Sequence, residues 1–75
     1  MDIRRVFGAN VRRFRLAAHL SQEAVAERMG VDRAHVSAIE RGLQNATLLT
    51  ILQAAHALNV RPAELLEENV PKVKS

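Results

Sequence analysis

Three histidines are the first residues to consider for chemistry, because histidine is the commonest metal ligand and general base. They stand at His19, His35 and His56, so no two have the three- or four-residue spacing that places ligands on one helix face. The chain has no cysteine to supply a thiolate. The neighbouring residues Glu67 and Glu68 are expected to form a solvated acidic end. The pattern predicts no enzyme activity, no metal site and no cofactor.

Arginine is the other chemically distinctive residue type, and its distribution is uneven. The chain has a net charge of +3. Residues 1–41 contain eight arginines and five acidic residues, whereas residues 42–75 contain three basic and three acidic residues. A guanidinium group presents planar donors that match phosphates and the edge of guanine. Nucleic acid is therefore a candidate partner, and a solvated basic surface is the alternative.

The length of 75 residues allows one domain, which we expect to span residues 1–75 with its core at about 3–68. Hydrophobic residues make up 48% and charged residues 25% of the chain, as in globular proteins. No apolar run approaches the roughly 20 residues that cross a bilayer, and we expect no cleaved secretory signal. We expect a cytoplasmic protein with no membrane partner. A helical domain of this size also has little room for a small-molecule substrate.

The elements that must position these residues are helices, because apolar residues recur at three- and four-residue steps and no segment alternates as a strand. The first predicted helix is amphipathic and has about four turns, with apolar residues that recur from Ile3 to Ala18 and with Gly8 inside it. Glycine costs roughly 1 kcal/mol relative to alanine inside a helix, and a close approach of another helix would explain it. The chain is therefore predicted to be all-α.

Capping residues mark the later helices. Ser21, Asp32 and Thr47 are predicted N-caps of a second, a third (Arg33 to Arg41) and a fourth helix. Glycine or asparagine, which tolerate the left-handed conformation, are predicted to follow these helices at Gly30, Gly42 and Asn59. The apolar stripe of the fourth helix is predicted as Leu48, Ile51, Leu52, Ala55 and Leu58. Pro62 suits the start of a short fifth helix, and residues 69–75 are expected to fray.

The second and third helices are joined by a turn of only about three residues at Gly30, so they must cross steeply. Ala26 precedes this glycine where a bulky side chain would clash with the next helix. Val36 and Ile39 follow it on one face and can pack back onto the second helix. Such a helix-turn-helix places its second helix in the DNA major groove.

The face of the third helix that remains outside is the candidate site. When Val36 and Ile39 face the core, the rotation of about 100° per residue in a helix places four residues on the outer side, and Arg33 and His35 flank them. The four are Ala34, Ser37, Ala38 and Arg41. Arg33 in the first turn can reach a guanine edge, or it can be a solvated cation. The two alanines can contact thymine methyl groups, or they can simply favour the helix.

These residues resemble the Cro/CI-type (XRE) helix-turn-helix family, and in particular restriction–modification controller proteins, which are comparably short. The matching residues are Ser21-Gln22, Ala26-Glu27, Gly30-Val31-Asp32-Arg33, Val36-Ser37, Ile39-Glu40-Arg41-Gly42 and Asn45. The resemblance continues to residues 64–66 and covers roughly residues 6–67. It implies a compact five-helix lambda-repressor-like DNA-binding domain that reads an operator as a homodimer and has no catalytic activity.

The resemblance also implies roles for single residues. Those that face DNA bases are Arg33, Ala34, Ser37 and Ala38. Those that face the DNA backbone are Gln22, His35, Arg41, Gln44 and Asn45. Arg15 and Glu40 match a pair that forms an internal ion pair in the family, so Glu40 is predicted to be structural.

Four positions depart from the family pattern. His19 stands where glycine is usual and is therefore expected to have a positive φ. Ala46 replaces a common proline, and Arg61 replaces a serine or threonine cap, so the fifth helix is expected to depend on Pro62. Leu49 replaces a polar residue and is not on the core stripe.

A homodimer needs an apolar surface beyond the core. The residues that are surplus to the predicted core stripes are Leu49, Val60, Leu66 and Val70. We predict that they form a two-fold interface, and the alternative is that they complete the small core.

Two functions remain open. The first is a sequence-specific transcriptional regulator that reads a palindromic operator in double-stranded DNA. The second is the antitoxin of a toxin–antitoxin pair, which keeps the fold and the autoregulatory DNA binding but acts mainly by capturing a partner. Antitoxins of the family that this sequence resembles often carry an extension that wraps the toxin. Only about eight residues follow the fifth predicted helix here, which favours the regulator.

Overall fold

Four α-helices and one short 3₁₀ helix make up the part of the chain that the computed structural model describes, residues 1–68. The α-helices are α1 (Ile3–Ala17), α2 (Gln22–Met29), α3 (Arg33–Glu40) and α4 (Leu48–Leu58), and the 3₁₀ helix is Pro62–Leu66. Residues 1–68 contain no strand, so the all-α prediction is confirmed. The predicted frayed tail at 69–75 and Val70 lie outside the described residues.

The predicted N-caps are confirmed. The side chains of Ser21, Asp32 and Thr47 accept hydrogen bonds from backbone N–H groups in the first turns of α2, α3 and α4. Each bond satisfies a donor that the helix itself leaves unpaired. Asp2 caps α1 in the same way, and its bonds to Arg4 lower the pKa of its carboxyl group.

All four α-helices end in the same way, with a residue of positive φ just beyond the last turn. These residues are His19 (φ 59°), Gly30 (φ 77°), Gly42 (φ 75°) and Asn59 (φ 58°). The N–H of the following residue then donates to a carbonyl five residues back, as Val31 does to Ala26 at 2.9 Å. The prediction that His19 replaces glycine in the left-handed conformation is confirmed.

The core lies where α1, α3 and α4 meet the other elements. The buried apolar residues come from every helix: Phe7, Val11, Val25, Ala26, Met29, Val36, Ile39, Ala54, Ala55, Ala57, Leu58 and Leu65. Half-buried side chains, among them Phe14, Ile51 and Val60, pack against its edge. The core therefore holds α3 in place between α1 on one side and α2 on the other.

Gly8 marks the closest approach between α1 and α3. A Cβ atom at this position would lie 2.1 Å from the backbone oxygen of Ile39 and 3.0 Å from that of Glu40. Only a residue without a side chain lets the two backbones come this close. The close helix approach that would explain Gly8 in a helix is present, and its partner is the C-terminal end of α3.

One polar side chain in the core was not predicted. Asn10 is buried, and its amide nitrogen donates to the backbone oxygens of Leu65 at 2.9 Å and Glu67 at 2.8 Å. Its oxygen accepts from Arg13 at 3.2 Å. The amide thus fastens the end of the 3₁₀ helix to α1. The available signal was its position three residues after Phe7 and four before Phe14, on the apolar face of α1.

The predicted stripe of α4 is partly wrong. Leu48 and Leu52 are 86% and 42% exposed, while Ala54 and Ala57 are buried in their place. The face of α4 that meets the core therefore consists largely of alanines, and the leucines of its first two turns point away from the core.

The third and fifth helices differ in detail from expectation. The third helix ends at Glu40, with Arg41 as its C-cap. The fifth helix is a 3₁₀ helix, and Glu64 stabilises its start by accepting a 2.8 Å hydrogen bond from the backbone N–H of Arg61. Pro62 is therefore not the only feature that fixes this start.

Candidate nucleic-acid interface

The helix-turn-helix is formed by α2, the turn at Gly30 and α3. Gly30 has the left-handed conformation that reverses the chain between the two helices. Val36 and Ile39 are 0% and 1% exposed, and Ala26 is buried as well. The inward face of α3 is therefore the predicted one, and the small Ala26 side chain lets the two helices cross closely.

The opposite face of α3 carries the predicted base-facing residues. Arg33 and Ala34, in its first turn, are exposed, whereas Ser37 and Ala38 are half-buried. Within α3, only short side chains follow Arg33 along this face, so a groove wall can approach the backbone closely. The arginine is the single long cation at the N-terminal end of α3 and the residue with the greatest reach.

Arg15 and Glu40 form the ion pair that the resemblance implies. Arg15 Nε donates to Glu40 Oε2 at 2.6 Å, and Arg15 Nη2 donates to Glu40 Oε1 at 3.1 Å. The two side chains are only 11% and 4% exposed. The bonds to Glu40 raise the pKa of Arg15, with burial opposing them. A bidentate pair shielded from water in this way fixes the C-terminal end of α3 against α1.

The same arginine also holds the turn between α1 and α2. Its Nη1 atom donates to the backbone oxygen of Leu20 at 3.0 Å. One side chain therefore connects α1, the entry to α2 and the end of α3.

Gln22, predicted to face the DNA backbone, is half-buried at the first position of α2. Its Nε2 atom donates to Glu40 Oε1 at 3.1 Å, and its Oε1 atom accepts from Arg33 Nη1 at 3.2 Å. Sequence reasoning placed Gln22 and Arg33 in separate roles and missed this contact. Their separation of eleven residues has no periodic signal that would indicate it.

The other predicted backbone-facing residues surround the C-terminal half of α3 and the following loop. Arg41 and Asn45 are exposed, and His35 and Gln44 are half-buried. The structure adds Arg5 to this region, because a Cβ atom on Gly42 would lie 3.0 Å from Arg5 Cγ. The N-terminal turns of α1 thus bring another arginine beside the loop.

The residues predicted to form a dimer interface lie on and after α4. Leu49 and Leu66 are exposed, whereas Val60 is half-buried against the core. Leu48 and Leu52 add two exposed leucines to the same helix. We call these four of the exposed leucines (Leu48, Leu49, Leu52 and Leu66) the leucine patch.

Two other features to consider in residues 1–68 are a metal site and a membrane-spanning helix. They contain no group of three or more histidine or acidic side chains that could hold a metal ion. They also contain no helix long and apolar enough to cross a membrane.

The fold and this surface define a DNA-binding helix-turn-helix protein of the XRE type. A family model described as "Helix-turn-helix" matches residues 11–65. The chain belongs to this family of transcriptional regulators, and the resemblance seen in the sequence is confirmed.

The similar proteins include regulators of restriction–modification systems. Control protein C.SmaI of Serratia marcescens is 41% identical over 66 residues, which are 88% of this chain and 79% of that protein. The crystal structure of the restriction-modification controller protein C.AhdI from Aeromonas hydrophila has a TM-score of 0.79 at 44% identity and covers 83% of this chain and 94% of that chain. A hypothetical transcription factor from Neisseria has a TM-score of 0.86 at 41% identity, over 91% of this chain and 78% of its own.

Proposed function

We propose that this protein is a sequence-specific transcriptional regulator that reads a palindromic operator as a homodimer, in the manner of a restriction–modification controller protein. The observation that carries the proposal is the outer face of α3. There the exposed Arg33 precedes the short side chains of Ala34, Ser37 and Ala38. The similarity to C.SmaI and C.AhdI supports the controller role.

Each residue of this face has a distinct part in the proposal. Arg33 donates to the O6 and N7 atoms of a guanine, which is the commonest specific contact in the major groove. Ala34 and Ala38 contact thymine methyl groups, and the Ser37 hydroxyl group can pair with either kind of base edge.

The DNA backbone is held from both sides of α3. Gln22 reaches a phosphate from the start of α2, and His35, Arg41, Gln44 and Asn45 reach others from α3 and its following loop. Such contacts fix the register of the helix on the duplex and carry little sequence information of their own.

The dimer follows from the small footprint of one recognition helix and from the leucine patch. One helix covers only a few base pairs, whereas two helices related by a two-fold axis read half-sites about 34 Å apart. Leu48 and Leu49 are 86% and 62% exposed on α4. Burying the same patch on both chains removes these leucines from water. This burial stabilises the dimer by roughly 25 cal/mol per Å² of apolar surface buried.

Binding-site selection from random duplexes tests the base readout. The expected result is an enriched palindrome with a guanine in each half-site whose selection depends on Arg33. Enrichment of no sequence would contradict the proposal.

Sedimentation equilibrium at micromolar concentration tests the dimer. Leu49→Glu is the variant of choice, because Leu49 is more exposed than Leu66 and its replacement disturbs the core less. We expect a dimer for the parent protein and a monomer for Leu49→Glu. Ala9→Glu, which adds the same charge at an exposed position of α1, should remain dimeric. If the parent is a monomer that binds a single half-site as tightly as the palindrome, the dimer is wrong.

A further inference from the structure

A continuous chain of hydrogen bonds joins the buried ion pair to the exposed start of α3. Arg15 donates to Glu40, Gln22 Nε2 donates to Glu40 Oε1, and Arg33 Nη1 donates to Gln22 Oε1. The chain begins at a shielded pair and ends at the cation proposed to read the base. It crosses from α1 to α3, then to α2, and returns to the other end of α3.

The chemistry of the end groups gives this chain a direction. A carboxylate can only accept hydrogen bonds, and a guanidinium can only donate them. An amide lying between the two satisfies both in one orientation alone, with its nitrogen toward Glu40 and its oxygen toward Arg33. The charge on Glu40 therefore determines that Gln22 presents an acceptor to Arg33.

From this geometry we infer that Glu40 is a positioning residue for base readout, which acts on Arg33 through the amide of Gln22. The inference rests on the proposed function, because it assigns a further residue to the same recognition surface. Gln22 holds one terminal nitrogen of Arg33, so the remaining guanidinium donors are directed before DNA arrives. The second N–H of the Gln22 amide stays free for a phosphate, which couples backbone contact to base contact.

The substitution Glu40→Gln reverses this direction while it keeps the size of the side chain. The short bond from Arg15 Nε retains an oxygen as its acceptor, so the new amide nitrogen takes the place of Oε1, where it loses the weaker bond from Arg15 Nη2 and faces Gln22. Gln22 must then turn its own oxygen toward residue 40 and its nitrogen toward Arg33. Two donors meet, and Arg33 loses its partner.

The experiment measures base discrimination at the position that Arg33 reads. Binding-site selection with the parent protein defines the preferred duplex, and the position is the base pair whose preference disappears in Arg33→Ala. Discrimination is the ratio of Kd values for duplexes with the preferred and a substituted base there. It is measured for the parent, for Glu40→Gln and for Gln22→Met, which breaks the chain at a half-buried residue and preserves the ion pair.

We expect Glu40→Gln and Gln22→Met each to reduce this ratio by about two- to tenfold, the size of one net hydrogen bond. In an Arg33→Ala background the same changes should produce no further loss. Gln44→Met is the matched control, since Gln44 is another half-buried glutamine proposed to contact a phosphate. It should weaken binding to both duplexes equally and leave the ratio unchanged.

Thermal unfolding of each variant separates positioning from stability, because a smaller folded fraction lowers both affinities and not their ratio. If Glu40→Gln is unfolded, Gln22→Met still tests whether the amide of Gln22, through which Glu40 acts, positions Arg33. A parent that selects a sequence, together with a Gln22→Met variant that keeps the parent ratio, overturns this inference and leaves the proposed function intact. A parent that selects no sequence overturns both.

Discussion

The substitution Gly8→Ala tests how α3 is held against the rest of the domain. The added Cβ atom would lie 2.1 Å from the backbone oxygen of Ile39, whereas real Cβ atoms stay at least about 3.0 Å from such neighbours. Backbone atoms cannot rotate away as the end of a side chain can. The helices α1 and α3 must therefore separate by about 1 Å near Gly8.

The magnitude follows from two opposing effects. Overpacking of a core costs about 1–3 kcal/mol, and the upper end applies because the obstacle is backbone. Alanine in place of glycine inside a helix returns up to about 1 kcal/mol. The net loss is about 2 kcal/mol, which lowers the melting temperature of a domain of this size by about 8–16 °C.

Circular dichroism at increasing temperature measures this loss, and Ala9→Gly is the matched control at the next residue. Ala9 is exposed, so only helix propensity acts there and the loss should be about 1 kcal/mol. If propensity also governed position 8, Gly8→Ala would melt above the parent. That result would refute the close approach of α1 and α3.

Two further predictions concern the turn of the motif and the buried amide. Gly30→Val should cost about 2 kcal/mol or more, because a β-branched residue must adopt φ near 77°, whereas Gly30→Asn should cost less than about 1 kcal/mol. Asn59 shows that asparagine adopts this conformation, and equal melting temperatures for the two variants would contradict the assignment of strain. Asn10→Asp should lower stability toward urea at pH 7 by about 2–4 kcal/mol, since a carboxylate cannot donate to the oxygens of Leu65 and Glu67. Asn45→Asp, in an exposed loop, is the control, and an equal shift in both unfolding midpoints would show that the buried contacts are unimportant.

Local signals in the sequence were sufficient to predict where most helices begin and end. The N-caps Ser21, Asp32 and Thr47 act within three residues of themselves, so their effect depends little on the rest of the fold. The left-handed residues His19 and Asn59 are equally local. The inward face of α3 was also predictable, because the position of Val36 and Ile39 relative to Gly30 is fixed by helix geometry.

Packing was less predictable, because periodicity does not specify how closely a helix approaches its neighbours. Leu48 and Leu52 fit an apolar stripe, but the structure buries Ala54 and Ala57 instead. The sequence around Asn10 does not indicate that its amide lies within hydrogen-bond distance of two backbone oxygens. Those oxygens belong to a segment more than fifty residues away.

The residues of the candidate surface were likewise predictable only in part. The outward position of Arg33 and Ala34 follows from the helical step, and the ion pair of Arg15 and Glu40 follows from the family resemblance. The contact between Gln22 and Arg33 depends on the crossing of α2 and α3, so only the three-dimensional structure shows it.

The central claim is that α3 reads DNA bases through Arg33, and a comparison of two duplexes tests it most directly. Kd is measured for Arg33→Ala and for the parent on the selected duplex and on random DNA of the same length. A bidentate contact with guanine contributes about 1–3 kcal/mol of discrimination, so Arg33→Ala should bind the selected duplex about 5- to 150-fold more weakly than the parent. Its affinity for random DNA should fall much less. An equal loss on both duplexes would show that Arg33 contacts only phosphates and would contradict the account.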